Sequence, residues 1–290
     1  MKINYQLTAL LIVVILFSCK ESATDTVEEK TLTDAEWVDA LPDPWTLTQD
    51  QMDVILPQFQ TRFPYFQARL KNFALWRVGT PYEIFKLGEE VEPDPDPIIR
   101  YDVSDCTGHN LTSLAAAKSS SWSQTKSNMI DIHYKADAQG VKTPTYISRW
   151  HYTLDRITAN PYTVDITQDL LPRSSLDSVS ITLNKKDDGS EFLELDWGRS
   201  MTAYFIPNDQ ITAELLAKLP QIVGVAFVKP NYYKMGIVMG HEGMIIDGKY
   251  LVHASQSAGE TVKLDFLEYY FPEDGAFFGG IMIYEFRENV

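Results

Sequence analysis

The sequence YDVSDCTGHNLTSLAAA runs from Tyr101 to Ala117 and changes character at Cys106. Before the cysteine the chain is rich in proline. After it, Leu111, Leu114 and the alanines recur at the spacing of one helix face, which predicts a helix that begins at about Cys106. At a helix N-terminus, free backbone N–H groups and the helix dipole favour the thiolate and can lower a cysteine pKa from roughly 8.5 to between about 3.5 and 7.5.

This position makes Cys106 a candidate nucleophile. The alternative is a buried, inert cysteine that behaves as a small hydrophobic residue. Its neighbours in the chain are polar: Asp105, Thr107, His109 and Asn110. A polar setting is unusual for a core cysteine, so the sequence favours a reactive thiol.

The N-terminus carries a targeting signal in residues 1–18. Lys2 is followed by a polar patch and then by an unbroken apolar run from Ala9 to Phe17, which is too short to span a bilayer stably. The run ends in Leu16-Phe17-Ser18-Cys19, which resembles a bacterial lipoprotein signal. The resemblance implies cleavage before Cys19 and lipid attachment to its sulfur. An uncleaved anchor, or an ordinary signal with a coincidental cysteine, is the alternative.

Residues 19–35 are polar and poor in large apolar side chains, which is typical of a flexible tether. Residues 36–290 are expected to form the folded domain, in the cell envelope, either facing the periplasm or on the outer membrane. Lipidation of Cys19 would leave Cys106 as a lone thiol, so no intrachain disulfide is available. Stability must therefore come from burial, for which 44% hydrophobic residues are sufficient.

The chain is acidic. Its formal net charge is −15 at pH 7, and loss of Lys2 with the signal makes it −16. Nucleic acid is excluded as a partner because phosphate binding needs a basic surface. An anionic membrane surface would likewise not retain the protein without the N-terminal lipid.

The N-terminal part is expected to be helical. Between Trp45 and Leu87 apolar residues fall roughly at helical spacing, and Pro57 and Pro64 are expected to divide the run into two or three short helices. The acidic run from Glu89 to Pro97 is interpreted as a solvated loop.

The C-terminal part is expected to be an antiparallel sheet. Residues 178–206 alternate like a hairpin with its turn at Lys185 to Ser190, and a capped amphipathic helix is predicted from Asp209 to Leu219. Short strands are then predicted at Ile222 to Val228, Met235 to Met239, Met244 to Ile246, Tyr250 to His253, Thr261 to Leu264 and Ile281 to Phe286. Helices first and sheet last indicate an α+β fold.

A second polar segment, SRWHY, combines aromatic and basic residues from Arg149 through Trp150 and His151 to Tyr152. Such a combination suits a sugar or a peptide carboxylate, and Tyr101 beside the nucleophile adds a further aromatic. The alternative is that these aromatic residues belong to the core.

Two histidines lie in the predicted sheet. His241 and His253 are twelve residues apart, on either side of an Asp247-Gly248 turn, so a hairpin would place them on neighbouring strands. A thiol facing a histidine that is held by a third polar group is the arrangement a cysteine hydrolase needs. Each histidine alone could equally be structural.

These motifs resemble the NlpC-type branch of papain-like cysteine peptidases, in which Asp-Cys opens a helix, His-x-Gly lies on a strand and a polar residue follows on the next strand. More closely, the chain is similar to the N-acetylmuramoyl-L-alanine amidase-like family of bacterial cell-wall hydrolases. The matching pieces are GTPY at Gly79 to Tyr82, Leu87-Gly88-Glu89, Asp105-Cys106-Thr107, SRWHY at Ser148 to Tyr152, His241-x-Gly243, His253-Ala254-Ser255 and DFLEY at Asp265 to Tyr269.

The resemblance implies a papain-like NlpC-type core with additional N-terminal helices, an inserted β-hairpin and a C-terminal antiparallel sheet. By matching position, Cys106 becomes the nucleophile, His241 the base and His253 the residue that orients it. The implied partners are peptidoglycan or muropeptide fragments, with no cofactor. No metal site is expected either, because His133 and His151 are eighteen residues apart without an intervening cysteine and HExxH pairs are absent.

Two amide bonds of peptidoglycan are candidates for cleavage. The amide between the muramyl lactyl group and L-alanine is favoured by Arg149 and the aromatic residues around it. A stem-peptide endopeptidase would need a carboxylate for the substrate amine, which Asp102 or Asp105 could supply, whereas Leu111 occupies the helix position where the family often has an acid. A non-catalytic peptidoglycan-binding lipoprotein is the third reading.

Overall fold

The structure, a computed structural model, describes residues 32–289 of the chain. The predicted signal in residues 1–18, the predicted lipidation site Cys19 and most of the predicted tether lie outside the described residues. The first helix begins at Asp34, just before the predicted start of the domain at residue 36. Within residues 32–289, no helix is both long enough and apolar enough to cross a membrane.

Helices come first along the chain. The α-helices are α1 Asp34–Asp39, α2 Gln49–Arg62, α3 Phe66–Trp76, α4 Cys106–Ala117, α5 Trp122–His133, α6 Thr153–Ala159, α7 Thr167–Leu170, α8 Ala213–Leu216 and α9 Phe266–Tyr270. Short 3₁₀ turns lie at Pro44–Thr46, Arg173–Ser175, Asn208–Gln210 and Pro230–Met235.

Strands occupy the second half. They are β1 Thr163–Asp165, β2 Asp177–Leu183, β3 Arg199–Phe205, β4 Ile222–Val228, β5 Met239–Ile246, β6 Tyr250–Ser255, β7 Glu260–Asp265 and β8 Gly280–Phe286. Six of them form an antiparallel sheet in the order β1-β8-β4-β5-β6-β7, and β2 and β3 form a separate two-stranded ribbon. The predicted α+β class, with helices first and an antiparallel sheet last, is confirmed.

The large sheet has a hydrophobic cluster on each face. Met244 and Ile246 of β5 join the cluster that contains Leu114 of α4, whereas Ile245 joins the cluster that contains Phe266 of α9. Successive side chains of a strand point to opposite faces. Helix α4 therefore covers one face and α9 the other, and both approach the strands that carry the histidines.

The prediction that Pro57 breaks the N-terminal helical run is wrong, because Pro57 lies inside α2. Leu56 and Phe59 on either side of it are buried, so packing holds one helix face against the core across the proline. Pro64 does separate α2 from α3, as predicted.

Two predicted strand regions are corrected. Residues 230–235 form a 3₁₀ turn that ends at Gly236, with φ of 72°, so the strand predicted from Met235 begins only at Met239. The turn predicted at Lys185 to Ser190 is present, since Lys186 N–H donates to Ser190 O at 2.8 Å, but it lies inside the longer connection of residues 184–198.

The predicted helix from Asp209 to Leu219 is also shorter than expected. A 3₁₀ turn at Asn208–Gln210 comes first, and Thr212 then caps α8 by accepting the backbone N–H of Leu215. Because Thr212 is extended, the helix cannot begin before it.

Candidate active site

Cys106 is the first residue of α4, as predicted. Asp105 is the N-cap, and its Oδ1 accepts the backbone N–H of Gly108 at 2.7 Å while its Oδ2 accepts that of Phe85 at 2.9 Å. Both carboxylate oxygens are therefore occupied by backbone amides. Asp105 fixes the start of the helix and the loop before it, which leaves little of the carboxylate for the substrate contact predicted from the sequence.

The predicted lowering of the Cys106 pKa is wrong. The thiol is half-buried, and desolvation, followed by the negative charges of Asp105 and Glu242, raises its pKa to about 12. Hydrogen bonds from the Glu242 backbone and the Thr107 side chain offset this only in part. Burial and two nearby carboxylates thus outweigh the helix dipole, and the Cys106 thiol is neutral at pH 7.

The structure brings His241 and His253 together. His241 Nε2 and His253 Nδ1 are 2.7 Å apart, and the ring centroids are 4.8 Å apart at 80°. In the tautomer in which His241 Nε2–H donates to His253 Nδ1, the Nδ1 atom of His241 is the nitrogen that can accept a proton. The two histidines therefore lie on neighbouring strands and in contact, as the hairpin around Asp247-Gly248 predicts.

A tight hairpin and one glycine create this contact. Asp247 and Gly248 both have positive φ, 54° and 60°, as the turn between β5 and β6 requires. A Cβ added at Gly243 would lie 2.9 Å from the Cβ of His253, closer than real Cβ atoms approach. Glycine after His241-Glu242 therefore lets the His253 side chain pass beside β5.

Both imidazoles are neutral at pH 7. Burial lowers the pKa of His241 to about 4, and burial together with the neighbouring His241 lowers the pKa of His253 to about 3. Neutral His241 can act as a base. The Cys106 thiol and the His241 imidazole are therefore both uncharged at pH 7.

Two tyrosines are influenced by Cys106, and one of them, Tyr269, also contacts His253. Burial, followed by the electrostatic influence of Cys106, raises the pKa values of Tyr82 and Tyr269 to about 12. The ring of Tyr269 is also 4.8 Å from that of His253. Tyr82 closes the GTPY motif and Tyr269 closes DFLEY, but neither motif by itself indicates a role for its tyrosine.

Glu242, between His241 and Gly243, is the centre of a buried polar network. Its carboxylate accepts hydrogen bonds from Thr107 Oγ1 (2.6 Å), Asn110 Nδ2 (3.0 Å), Thr153 Oγ1 (3.2 Å), Arg156 Nη2 (2.6 Å) and Tyr284 OH (2.8 Å). Burial would raise the pKa of Glu242, but the Arg156 charge and these hydrogen bonds lower it. The carboxylate joins α4, α6, β5 and β8 beside the candidate nucleophile. Sequence reasoning missed it.

Arg149 is already paired. Its Nε donates to Glu89 Oε1 at 2.6 Å and its Nη2 to Asp94 Oδ2 at 2.8 Å, and Glu89 is 3% exposed. The interpretation of the acidic run from Glu89 to Pro97 as a solvated loop is therefore wrong for these two acids. Arg149 fastens the SRWHY segment to that run, with its charge neutralised by two carboxylates.

Three residues of the SRWHY segment, Arg149, His151 and Tyr152, line a cleft of about 180 Å³. Its other lining residues are Lys135, Ile147, Leu195, Asp196 and Trp197. Lys135 Nζ lies 4.6 Å from the ring centroid of Trp150 and 4.2 Å from that of Trp197. The Tyr152 hydroxyl donates to Asn184 Oδ1 at 2.6 Å, and Thr153 next to it reaches Glu242. Thr153, which follows the cleft residue Tyr152 in the chain, therefore links the edge of the cleft to the hydrogen-bond network of Glu242.

Two of the predicted substrate-binding residues have polar atoms that contact other groups of the protein. Tyr101 is 2% exposed and its hydroxyl donates to Thr125 Oγ1 at 3.3 Å, so its ring belongs to the core. His151 Nε2 lies 2.6 Å from Tyr146 O, and burial lowers the pKa of His151 to about 4. Among residues 32–289, no three His, Cys, Asp or Glu side chains are grouped as metal ligands would be.

Comparison with known proteins shows the family. The structure is similar to protein LPG0564 of Legionella pneumophila, of family DUF1460, with a TM-score of 0.66 and 17% identity over 82% of this chain and 95% of that one. It is also similar to an N-acetylmuramoyl-L-alanine amidase of Bacteroides uniformis, with a TM-score of 0.56 and 20% identity over 77% of this chain and 99% of that one. A search of curated proteins found no significant match. The model of the N-acetylmuramoyl-L-alanine amidase-like family matches residues 73–276, and the chain belongs to that family.

Proposed function

We propose that this protein is a cell-wall hydrolase that cleaves the amide between the muramyl lactyl group and L-alanine, by cysteine chemistry on a papain-like NlpC-type core. The family membership supports the substrate class. The observation that carries the mechanism is the His241–His253 contact of 2.7 Å, on two strands that pack against α4, the helix that Cys106 begins.

The reaction proceeds through a thioester. His241 Nδ1 accepts the proton of the Cys106 thiol as the sulfur attacks the lactyl carbonyl carbon, and the Cys106 backbone N–H at the open end of α4 stabilises the oxyanion. The same proton passes to the departing L-alanine nitrogen as the C–N bond breaks. Water then attacks the thioester, gives a proton to His241, and releases the lactyl carboxylate and the free thiol.

The structure favours the amidase over the stem-peptide endopeptidase. An endopeptidase needs a free carboxylate for the substrate amine. Asp105 is occupied by backbone amides, and Asp102 is bound by Arg100 through Nε at 2.9 Å and Nη2 at 2.7 Å. Both acids proposed for that contact are therefore engaged, while the cleft lined by the aromatic rings of Tyr152 and Trp197 could accept a sugar.

Digestion of a defined disaccharide–tripeptide, followed by mass analysis, tests the choice of bond. The proposal predicts free tripeptide and free disaccharide. A disaccharide that retains L-alanine and D-glutamate would show that the endopeptidase reading is right. A non-catalytic binding lipoprotein would retain the fragment without releasing any product. The Cys106→Ala variant controls for contaminating hydrolases.

The cell-envelope location and the lipid anchor at Cys19 are part of the proposal. They rest on the boundary Leu16-Phe17-Ser18-Cys19 and on the polar residues after it. Cys19→Ala should move the protein from the membrane fraction to the soluble fraction, whereas Cys106→Ala should leave its distribution unchanged. Retention of Cys19→Ala in the membrane would refute the lipid anchor and leave the hydrolase proposal untouched.

A further inference from the structure

Three consecutive residues, Leu195, Asp196 and Trp197, line the cleft of about 180 Å³ beside the SRWHY segment. Their backbone N–H groups all donate to one carboxylate, that of Glu191, at 2.9, 3.0 and 3.1 Å. Lys185 Nζ donates to the same carboxylate at 2.8 Å. The hydrogen bond from Lys185, together with those from the backbone, lowers the pKa of Glu191 to about 2. Glu191 is therefore charged at pH 7 and holds this part of the cleft lining by three bonds.

Two residues at the cleft have left-handed backbone conformations although neither is glycine. They are Asp196, with φ of 46°, and the fully buried Asn184, with φ of 66°. Asn184 joins residues 195–197 to the SRWHY segment, because its Oδ1 accepts the Tyr152 hydroxyl at 2.6 Å and its Nδ2 donates to Trp197 O at 2.8 Å. Such conformations persist where surrounding contacts enforce them, and they concentrate at functional sites. The two parts of the lining are thus fixed to each other before a ligand binds.

The cleft combines a hydrogen-bond donor, an acceptor and aromatic rings. Lys135 Nζ lies over the Trp197 ring, 4.2 Å from its centroid, and is paired with Asp155 Oδ2 at 2.8 Å. The side chain of Asp196 is exposed at the cleft, and its carboxylate has no hydrogen-bond or ion-pair partner within residues 32–289. Asp196 is therefore an acceptor that a ligand in the cleft can use.

A sugar ring fits this combination better than the ammonium group of the diamino acid in the stem peptide. A pyranose has hydroxyls that donate to a carboxylate and accept from a lysine, and its C–H groups pack on aromatic rings. A ligand ammonium would find the place over the Trp197 ring taken by Lys135, whose like charge would repel it.

The cleft and Cys106 are close enough to bind parts of one substrate. Thr153, next to the cleft residue Tyr152, and Thr107, next to Cys106, both donate to Glu242 Oε1, at 3.2 and 2.6 Å. In a muramyl peptide the lactyl group that carries the scissile amide is attached directly to a sugar ring. A ring in the cleft would therefore belong to the glycan on the lactyl side of that amide.

We propose that Asp196 determines specificity for the glycan part of the substrate by accepting hydrogen bonds from the hydroxyls of a sugar ring in the cleft. Glu191 is the positioning residue that holds Asp196 and Trp197 at this ring. The inference rests on the proposed amidase function for the identity of the glycan, but the contact itself needs no bond cleavage. Loss of the Asp196 carboxylate should weaken sugar binding and leave the chemical step unchanged.

Calorimetric titration of the full chain with N,N′-diacetylchitobiose tests the contact. This neutral disaccharide has no lactyl group and no peptide, so its binding does not depend on hydrolysis. Asp196→Gly should bind it about tenfold to a hundredfold more weakly than the wild type, because a hydrogen bond to a charged group is lost. Glycine adopts positive φ without strain, so this variant should fold.

Glu194→Ala is the matched control. Glu194 is an exposed acid two residues before Asp196 that does not line the cleft, so its removal takes away the same charge and should leave the affinity unchanged. No binding of the disaccharide by the wild type, or equal binding by the wild type and Asp196→Gly, would overturn the proposal.

Kinetics on two substrates separate the sugar contact from damage to the fold. On the disaccharide–tripeptide, Asp196→Gly and Glu191→Gln should raise KM and leave kcat unchanged. On a lactyl-tripeptide in which a methyl ether replaces the sugar, both variants should match the wild type. Equal losses on the two substrates would place peptide in the cleft and overturn the proposal. If the wild type cleaves neither substrate, the proposed function fails, while the titration still decides the sugar contact.

Discussion

At the scale of single residues, Cys106 carries the proposed chemistry without contributing much to packing. Its side chain is half-buried, and the residue lies at the N-terminus of α4. Cys106→Ala should therefore abolish turnover while changing the free energy of unfolding by no more than about 1 kcal/mol. Chemical denaturation and product release would be measured on the same preparation. Residual activity in a strongly destabilised variant would instead identify Cys106 as a core residue.

The two histidines should differ in their effects. His241→Ala removes the proton carrier, and general-base catalysis typically contributes about 10²–10⁴-fold, so turnover should fall at least that far. His253→Asn keeps a polar group near His241 Nε2 and should retain more activity than His241→Ala. Comparison of kcat for the two variants checks this order, and a greater loss in His253→Asn would reverse the assigned roles.

The sequence was informative about which residues meet and less informative about their charge states. The spacing of His241 and His253 around Asp247-Gly248 was enough to predict their pairing, because a tight hairpin fixes which strand positions become neighbours. The raised pKa of Cys106 and the pairing of Arg149 with Glu89 depend on contacts between distant segments. No local pattern in the chain encodes them.

At the scale of elements, Glu242 links α4, which begins at Cys106, to β5, which carries His241. Glu242→Gln should leave Arg156 buried without a counter-charge. Removing one partner of a buried ion pair lowers the free energy of unfolding by about 3–5 kcal/mol. Adding Arg156→Met should recover part of that loss, because the unpaired charge is removed while the amide still accepts hydrogen bonds. Urea denaturation of the single and double variants measures the effect.

The exposed pair of Lys126 and Glu90 provides the control for this experiment. Its atoms are 2.6 Å apart, but the side chains are 37% and 42% exposed. Glu90→Gln should change stability by less than about 1 kcal/mol. If Glu242→Gln were equally mild, the buried network would not be what holds α4 against β5.

Elements with continuous burial were the easiest to predict. The bounds of β4, Ile222–Val228, agree with the prediction, because every residue of that strand is buried and the sequence is an unbroken apolar run. Pro57 does not follow the rule that proline ends a helix, because the buried residues on either side of it hold α2 against the core. The connection of residues 184–198 could not be predicted, because Asn184 organises it through side-chain bonds to Leu193 and Trp197.

At the scale of the whole molecule, burial of histidine should make the protein sensitive to acid. All five histidines have lowered pKa values, with burial as the first cause: His109, His133, His151, His241 and His253. Below about pH 6.5 the unfolded chain binds protons that the folded protein does not, so stability falls as the pH falls from about 6.5 towards 4. Three carboxyl groups have raised pKa values and therefore stabilise the folded protein as the pH falls: Glu89, Asp105 and Asp165.

Urea midpoints at pH 7.5 and pH 5.0 check the balance. The stability lost through the five histidines should exceed the stability gained through the three carboxyl groups, so the urea midpoint should be lower at pH 5.0. His151→Gln should reduce the difference, because this residue lies at the cleft and one proton-linked group is removed. A midpoint that rises between pH 7.5 and pH 5.0 would contradict the assignment of neutral, buried imidazoles.

The central claim is that Cys106 is acylated by the lactyl carbonyl of a muramyl group, and the mass of the trapped enzyme tests it most directly. Enzyme mixed with disaccharide–tripeptide and quenched in acid should gain the mass of the disaccharide lactyl acid minus one water, on the peptide that contains Cys106, and Cys106→Ala should gain nothing. An adduct that also contains L-alanine and D-glutamate, or the same adduct on another residue, would contradict the account.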